Sequence, residues 1–282
     1  MFSINVLRLL AFTSLLLSTT MTLAYEEALP RYALIIGNGD YDFSPLKNPA
    51  NDARDMAKKL RKLRYKVTLA TDQEAEQLRT TVVDFYKSID ETNAVSLFYY
   101  AGHAVQLGNS NYLIPVAAEI NSEDDIRHIA YSMNDLLSSL RNSNSDQNII
   151  ILDACRNNPF MTTENKQGTR GLAWIDLSEN KGFSEFAGGL APVEAPPGTL
   201  VAYATEPGNV ADDGRGRNGT YTKALLRHIG KAETAEALFK KVRKDVLKQT
   251  RRQQTPWEHS SLVETFYFSP PKSREVPNIV AF

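Results

Sequence analysis

The sequence predicts an α/β fold in which a mostly parallel sheet is covered by helices on both faces. One observation behind this prediction is a series of short, almost wholly apolar runs at 32–36, 94–100 and 148–152, which is typical of strands buried on both sides. The other is that amphipathic stretches of helical period lie between these runs. Strands that alternate with helices in this way pair in parallel, because each helix carries the chain back across the sheet.

The first predicted strand, at 32–36, ends in a glycine-rich turn. Asn48 and Pro49 are typical of a helix start, because asparagine caps free backbone N–H groups and proline at the first turn needs no partner for its nitrogen. The other elements predicted for this half are a strand at 67–69, a helix lined by Leu78, Val82, Phe85 and Ile89, a strand at 94–100 that ends at Gly102-His103, an extended segment at 112–114, a helix at 133–140 and a strand at 148–152.

Residues 156–198 are predicted to form a long loop, because they are rich in Asn, Thr, Gly and Pro. A loop of this length in a compact domain is usually functional or disordered. Regular structure resumes with a strand at 199–204, two helices at 220–229 and 233–249, and a last strand at 266–268. The predicted segments are therefore a leader at 1–24, a first folded part at 25–155, the loop at 156–198, a second folded part at 199–268 and a tail at 269–282.

The leader has the features of a secretory signal peptide. Arg8 precedes a modest apolar run, and the segment closes on small residues at Ala24. The run is short for a membrane span, although an uncleaved anchor is the alternative. We therefore expect export to the periplasm or the cell exterior, with no membrane attachment after cleavage.

Composition limits the class of partner. The formal net charge is −1, which does not favour nucleic acid or an anionic membrane surface. The oligomeric state is not predictable from the sequence. The chain has one cysteine, Cys155, so no internal disulfide can form.

Cys155 and His103 each follow the end of a strongly apolar strand, so both are expected at the rim where the carboxyl ends of the strands meet. A thiolate is a strong nucleophile, and a nearby imidazole can generate it and then protonate a leaving amine. Taken singly, Cys155 could equally be a buried inert thiol. Taken singly, His103 could be a hydrogen-bonded rim histidine. The pair makes a catalytic dyad the more informative hypothesis.

Four segments resemble the metacaspases and the bacterial caspase-like peptidases (orthocaspases), in that family's order. They are Asn51-Asp52-Ala53, Tyr99-Tyr100-Ala101-Gly102-His103, Asp153-Ala154-Cys155-Arg156 and Tyr203-Ala204-Thr205-Glu206-Pro207-Gly208. The histidine lies about 50 residues before the cysteine, as in the caspase signature. The resemblance implies the caspase-like (caspase-hemoglobinase) fold, with 25–155 as the large-subunit-like part and 199–268 as the small-subunit-like part. It also implies a cysteine endopeptidase with a Cys155–His103 dyad and an oxyanion hole formed by the backbone N–H groups of Ala104 and Cys155.

The resemblance further implies a substrate pocket for a basic residue. Asp153 stands where caspases have glutamine, Asp213 falls where they have an arginine for an acidic side chain, and Asp52 matches an acidic pocket residue of metacaspases. Carboxylates accept paired hydrogen bonds from a guanidinium, so cleavage after Arg is expected, with Lys second. The alternatives are that Asp52 stabilises a helix N-terminus and that Asp213 is a solvated turn residue.

The residue after the histidine departs from the family, which usually has glycine there. Ala104 still offers an N–H but resists positive φ, and losing one oxyanion donor costs about 2.7–4 kcal/mol. The alternative function is therefore a weak or inactive caspase-like binding or scaffold protein. Within the long loop, Lys166 and Arg170 are sites at which a basic-specific enzyme could cut itself.

Other site classes are less well supported. Gly37 and Gly39 follow a strand, but the third glycine of a dinucleotide-binding loop is missing, and no phosphate-binding loop is present. The four histidines are scattered, so neither a metal site nor any other cofactor is expected. Calcium activation through the acidic run 123–125 is one hypothesis, with a solvated charged turn as its alternative.

Overall fold

The structure is a computed structural model that describes residues 29–90, 93–108, 110–155 (Cys155 by its backbone alone), 195–206, 211, 213–214 and 216–271. These residues build one eight-stranded sheet whose main path runs β2-β1-β3-β6-β7-β8, with β4 and β5 extending from β3. The strands are β1 (Arg31–Gly37), β2 (Lys66–Thr71), β3 (Ala94–Leu107), β4 (Ser110–Leu113), β5 (Tyr131–Ser132), β6 (Ser145–Cys155), β7 (Thr199–Tyr203) and β8 (Trp257–Ser260). Strands β2, β1, β3, β6 and β7 are parallel to one another and β8 is antiparallel, so the predicted mostly parallel sheet is confirmed.

Helices cover both faces of the sheet, as predicted. They are α1 (Pro49–Lys62), α2 (Ala75–Lys87), α3 (Glu123–Ile129), α4 (Met133–Arg141), α5 (Thr220–His228) and α6 (Ala235–Gln249). One apolar core lies between the sheet and α1, α5 and α6, and the other lies between the sheet and α2 and α4. Alternate residues of each strand enter opposite cores: Ile35 enters the first and Leu34 the second. Burial on both faces explains why the central strands read as continuous apolar runs.

The central strand β3 is longer than predicted and has different partners along its length. Its first part, through His103, is parallel to β6, and from Ala104 onward it forms an antiparallel hairpin with β4. A third apolar cluster fills the space under this hairpin. The prediction that the strand ends at Gly102-His103 is thus corrected: this is the point at which the strand changes partners.

Two other element predictions are corrected. Residues 266–268 do not join the sheet. Tyr267 forms an isolated bridge with Thr234, and Phe266 and Phe268 are buried in the first core. The last strand is β8, which the sequence did not reveal because an exposed edge strand needs no apolar run. No helix in the described part of the chain is both long and apolar enough to cross a bilayer. The leader, most of the long loop and most of the tail lie outside the described residues.

Candidate active site

His103 and Cys155 lie side by side at the carboxyl rim of the sheet. They are register partners, and theirs is the last pair between the parallel strands β3 and β6. Neighbouring strands are about 4.8 Å apart, so their two backbones are close together. This arrangement agrees with the expectation that both residues lie at one rim.

The His103 side chain is buried, with 5% of its surface exposed. Its Nε2 lies 2.8 Å from the backbone oxygen of Ser44. Because a carbonyl can only accept, Nε2 carries the proton and Nδ1 is the basic nitrogen of the neutral ring. The rings of Tyr41 and Phe43 lie 4.5 Å and 5.6 Å from the imidazole, centroid to centroid. Burial lowers the pKa of His103, which favours the neutral ring that a general base requires.

Ala104 adopts a backbone conformation that suits alanine. It is not among the six non-glycine residues that have positive φ in the described part of the chain. Its partner across the hairpin is Leu113. The next pair, His103 and Ile114, is hydrogen-bonded, because the Ile114 N–H donates to the His103 oxygen. Bonded and non-bonded pairs alternate in an antiparallel ladder, so the N–H of Ala104 points away from β4. The physical objection to alanine at this position therefore does not apply to this backbone.

Beside the His103–Cys155 register pair is a small pocket that contains three carboxylates, those of Asp52, Asp153 and Asp213. They come from α1, from the end of β6 and from the segment before α5. The other lining residues are Leu46, Pro49, Ala101, Gly102, Ala211 and Gly219. The structure thus brings together the three acidic residues that were predicted to line one pocket.

Backbone and hydroxyl donors hold these carboxylates in place. Asp52, only 2% exposed, accepts the N–H of Gly219 at 3.1 Å and 3.2 Å, one distance to each oxygen. Asp153 accepts the hydroxyl of Thr222 at 2.6 Å. Asp213 accepts the backbone N–H of Lys47 at 3.1 Å. Asp52 is thus buried in the pocket and also lies in the first turn of α1, so both interpretations of this residue fit the structure. Asp213 is half-buried and bonded to Lys47.

The charges of the pocket favour the binding of a cation. Burial, followed by repulsion from Asp153, raises the pKa of Asp52 to about 8. Burial raises the pKa of Asp153 to about 6; the hydrogen bonds from Thr222 oppose that rise, and Asp213 adds to it. Three carboxylates share a small space with few positive charges, so a bound guanidinium or ammonium group would stabilise their ionised forms.

The remaining sequence-based candidates fall into three groups. Lys166 and Arg170 lie outside the described residues. The acidic run 123–125 is the first turn of α3, where Asp125 accepts hydrogen bonds from Asn121 and Ser122. Among the described residues there is no group of three or more His, Cys, Asp or Glu that could hold a metal ion. Calcium activation stays an untested prediction.

The Gly37 turn has a packing role. A Cβ atom at Gly37 would lie 2.2 Å from the backbone oxygen of Pro49 and 2.7 Å from the Cβ of Ala53. Glycine therefore allows the end of β1 to pack directly against α1, which carries Asp52. This close approach explains the glycine without a bound nucleotide.

Sequence reasoning missed four residues of the site: Tyr41, Ser44, Gly219 and Thr222. Ser44 acts through its backbone oxygen and Gly219 through its backbone nitrogen, so their side chains give no chemical signal. Thr222 is at the start of α5, where a threonine is unremarkable. Only the position of Tyr41, close after a strand end, could have drawn attention.

Comparison with known proteins identifies the family of the chain. Residues 30–267 match the family model described as the caspase domain of the C14 peptidases. The chain is 30% identical over 132 residues to human mucosa-associated lymphoid tissue lymphoma translocation protein 1, and 29% identical over 132 residues to its mouse homologue. Each alignment covers 46% of this chain but only 15% of the relative's length.

A solved structure supports the fold. Caspase-1 from Spodoptera frugiperda superposes with a TM-score of 0.54 and covers 86% of this chain and 93% of the insect chain, at 15% identity. At that identity the likeness bears on the fold alone. Since the caspase-domain model spans both folded parts of the chain, including His103 and Cys155, the chain belongs to the caspase-domain family of cysteine peptidases.

Proposed function

We propose that this peptidase is an endopeptidase that cleaves after arginine, and less efficiently after lysine, with Cys155 as nucleophile and His103 as base. The observation that carries the proposal is the position of a three-carboxylate pocket next to the His103–Cys155 register pair. A site that accepts carboxylate side chains would need positive charge at this place. Here the pocket offers Asp52, Asp153 and Asp213.

In the proposed reaction, Nδ1 of His103 takes the thiol proton of Cys155, and the thiolate attacks the scissile carbonyl carbon. The N–H groups of Ala104 and Cys155 stabilise the oxyanion that forms. The imidazolium then protonates the leaving amine, and the acyl-enzyme remains. Water, deprotonated by the neutral imidazole, hydrolyses the thioester and restores the thiol. Throughout, the Ser44 oxygen accepts a hydrogen bond from the Nε2–H group, which fixes the ring's tautomer and orientation.

Arginine is expected to be the better substrate because its planar fork can bond two carboxylates at once, whereas lysine presents a single ammonium group. Binding exchanges the repulsion among the three acids for ion pairs. The preference should therefore depend on the charge of the side chain and not only on its length.

The test is a panel of fluorogenic peptides with Arg, Lys, citrulline, Ala or Asp before the scissile bond, assayed in reductant with and without calcium. Citrulline keeps the shape of arginine but is neutral. The expected order is Arg, then Lys, with citrulline at least 100-fold lower, roughly one charge-assisted hydrogen-bond pair's worth. Cleavage should vanish in Cys155→Ala. Equal cleavage after citrulline, or preferred cleavage after aspartate, would contradict the proposed specificity.

We further propose that the enzyme cuts its own long loop, at Lys166 or Arg170. Both residues are of the type the pocket is expected to accept, and they follow Cys155 closely in the chain. Mass spectrometry of purified wild type should show two fragments that are absent from Cys155→Ala. An intact wild-type chain with full peptidase activity would exclude self-cleavage as a requirement.

For location, we propose export through the signal-like leader, since positively charged and apolar segments precede a small-residue site at Ala24. N-terminal sequencing of protein from an exported fraction should begin at Tyr25. A retained leader would favour the uncleaved-anchor alternative.

A further inference from the structure

His103 lies at the residue where β3 changes partners, and its backbone groups there are held by two tyrosines. The N–H of His103 donates to the hydroxyl oxygen of Tyr41 at 2.9 Å. The backbone oxygen of His103 accepts the hydroxyl of Tyr100 at 2.9 Å. We refer to these two hydroxyls, which lie 3.2 Å apart, as the tyrosine clamp.

The clamp forms a closed set of hydrogen bonds with the hairpin. Both hydroxyls also reach the backbone oxygen of Ile114, at 3.1 Å from Tyr41 and 2.9 Å from Tyr100. The N–H of Ile114 donates to the His103 oxygen at 3.0 Å. Each hydroxyl has one proton, so Tyr41 accepts from His103 and can donate to Ile114, while Tyr100 can donate to His103. Both tyrosines are buried, so water does not compete for these groups.

Gly102 leaves the space that the clamp occupies. Its φ is +155°, and a Cβ atom there would lie 2.7 Å from both the Tyr41 and the Tyr100 hydroxyl oxygens. Any other residue at 102 would displace the two hydroxyls from His103. The glycine before the histidine is thus explained by the clamp.

Tyr41 contacts His103 in two ways, through its hydroxyl and through its ring. Its hydroxyl holds the backbone N–H, and its ring packs 4.5 Å from the imidazole. The segment that begins at Tyr41 also brings in Ser44, whose oxygen holds Nε2. One short segment therefore fixes both the backbone and the ring of His103.

We propose that Tyr41, assisted by Tyr100, is a positioning residue that orients His103 toward Cys155. This inference rests on the proposed dyad. The imidazole must keep Nδ1 within hydrogen-bond reach of the thiol, and small displacements in such pairs cost about 100-fold in rate. Since neither hydroxyl lies in the carboxylate pocket, its removal should leave substrate binding intact.

The test compares Tyr41→Phe and Tyr100→Phe with Tyr86→Phe. Tyr86 is equally buried but lies on α2 in the second core, away from His103. With an arginine peptide, we expect kcat to fall about 10- to 100-fold in Tyr41→Phe, with KM within about twofold. The Tyr86→Phe control should keep its kcat within about twofold. All assays are run well below each variant's thermal midpoint, so that loss of folded protein does not contribute.

A second readout follows the dyad directly. Alkylation of Cys155 by iodoacetamide is measured against pH, because its rate reports the thiolate fraction. A less well oriented imidazole stabilises the thiolate less, so the midpoint should move to higher pH in Tyr41→Phe, by about one unit for a tenfold smaller thiolate fraction. If Tyr41→Phe does not fold, Tyr100→Phe gives a second test, since it removes one hydrogen bond to the His103 oxygen and leaves the bond from the His103 N–H to Tyr41 in place.

The outcomes separate the two proposals. If wild type cleaves after arginine and the folded Tyr→Phe variants keep both kcat and the alkylation profile, the clamp is merely structural and the inference is overturned. If wild type does not cleave but its alkylation profile shifts in the variants, the positioning role holds and the proposed substrate is wrong. If His103→Ala leaves the wild-type alkylation profile unchanged, the dyad itself fails and the clamp has no partner to orient.

Discussion

Replacement of Asp52 by asparagine is expected to stabilise the folded chain while it weakens cleavage after arginine. Asp52 is buried beside Asp153, and both of its oxygens face the N–H of Gly219. Asparagine has nearly the same shape and still offers an oxygen to Gly219. It removes only the negative charge, which the proposed substrate needs and which, when buried, lowers the stability of the folded chain.

The size of the effect follows from the raised pKa. The ordinary carboxyl pKa is 3.8, about three units below pH 7, so the unfolded chain has released the proton of Asp52 at this pH. In the folded chain the pKa of Asp52 is about 8, so the proton is still bound. Each unit corresponds to about 1.4 kcal/mol, so the acid costs the folded state about 4 kcal/mol relative to the unfolded chain. Since the buried amide has a desolvation cost of its own, we expect Asp52→Asn to raise the free energy of unfolding by about 2–4 kcal/mol.

The raised pKa of Asp52 also determines how the stability of the folded chain changes with pH. Between pH 4 and pH 8 the folded chain holds a proton on Asp52 that the unfolded chain has released. Folded protein therefore binds more protons, and its stability falls as the pH rises through this window. In Asp52→Asn this contribution is absent. The advantage of the variant should thus be smallest near pH 4 and largest near pH 8.

The assay is urea unfolding at pH 5, 7 and 8, followed by circular dichroism, with Cys155→Ala as the shared background so that no self-cleavage occurs. Asp55→Asn is the control on the same helix. Asp55 is partly exposed, and its pKa is lowered by Arg217, so its replacement should cost up to about 1 kcal/mol. The reasoning is refuted if Asp52→Asn is no more stable than its parent at pH 8, or if its advantage does not grow with pH.

Two further substitutions test the site from other directions. Gly102→Ala should abolish measurable kcat with folding retained below the thermal midpoint, because the new Cβ meets both clamp hydroxyls; near-normal kcat in a folded protein would contradict the packing argument. Thr222→Val removes the hydroxyl that holds Asp153 and should lower the Arg-to-Ala selectivity about tenfold, one hydrogen bond's worth, while Thr222→Ser restores it. Equal selectivity in the valine and serine variants would show that the hydroxyl plays no part in the preference for arginine.

Much of the fold could be predicted because burial on both faces leaves a plain signature in the sequence. The runs that became β1, β3 and β6 are apolar at nearly every position, and Asn48-Pro49 marks the start of α1. Prediction failed where the signature is weak. The edge strand β8 reads Trp-Glu-His-Ser, and the acidic run 123–125 looked like a turn because its helix, α3, buries only Ile126.

The chemistry of the site was predictable only where side chains carry it. Cys155 and His103 could be named from their types and their positions after strands, and the three aspartates from the resemblance to the metacaspases and caspases. The groups that hold them could not, because the Ser44 oxygen and the Gly219 nitrogen belong to the backbone and reach the site only after the chain has folded. A resemblance to a family identifies the reactive side chains, whereas the backbone groups that hold them are identified only by the hydrogen bonds of the folded structure.

The carboxylate pocket is assembled across both folded parts of the chain, and this bears on self-cleavage. Asp52 and Asp153 come from the first part, but their donors Gly219 and Thr222 come from the second. The two parts are joined side by side by the pairing of β6 with β7 and by the ion pair between Asp55 and Arg217. A cut between 156 and 198 would break no contact described within the pocket. The cleaved form should therefore keep its preference for arginine, and any gain in activity on cleavage would have to come from release of the loop.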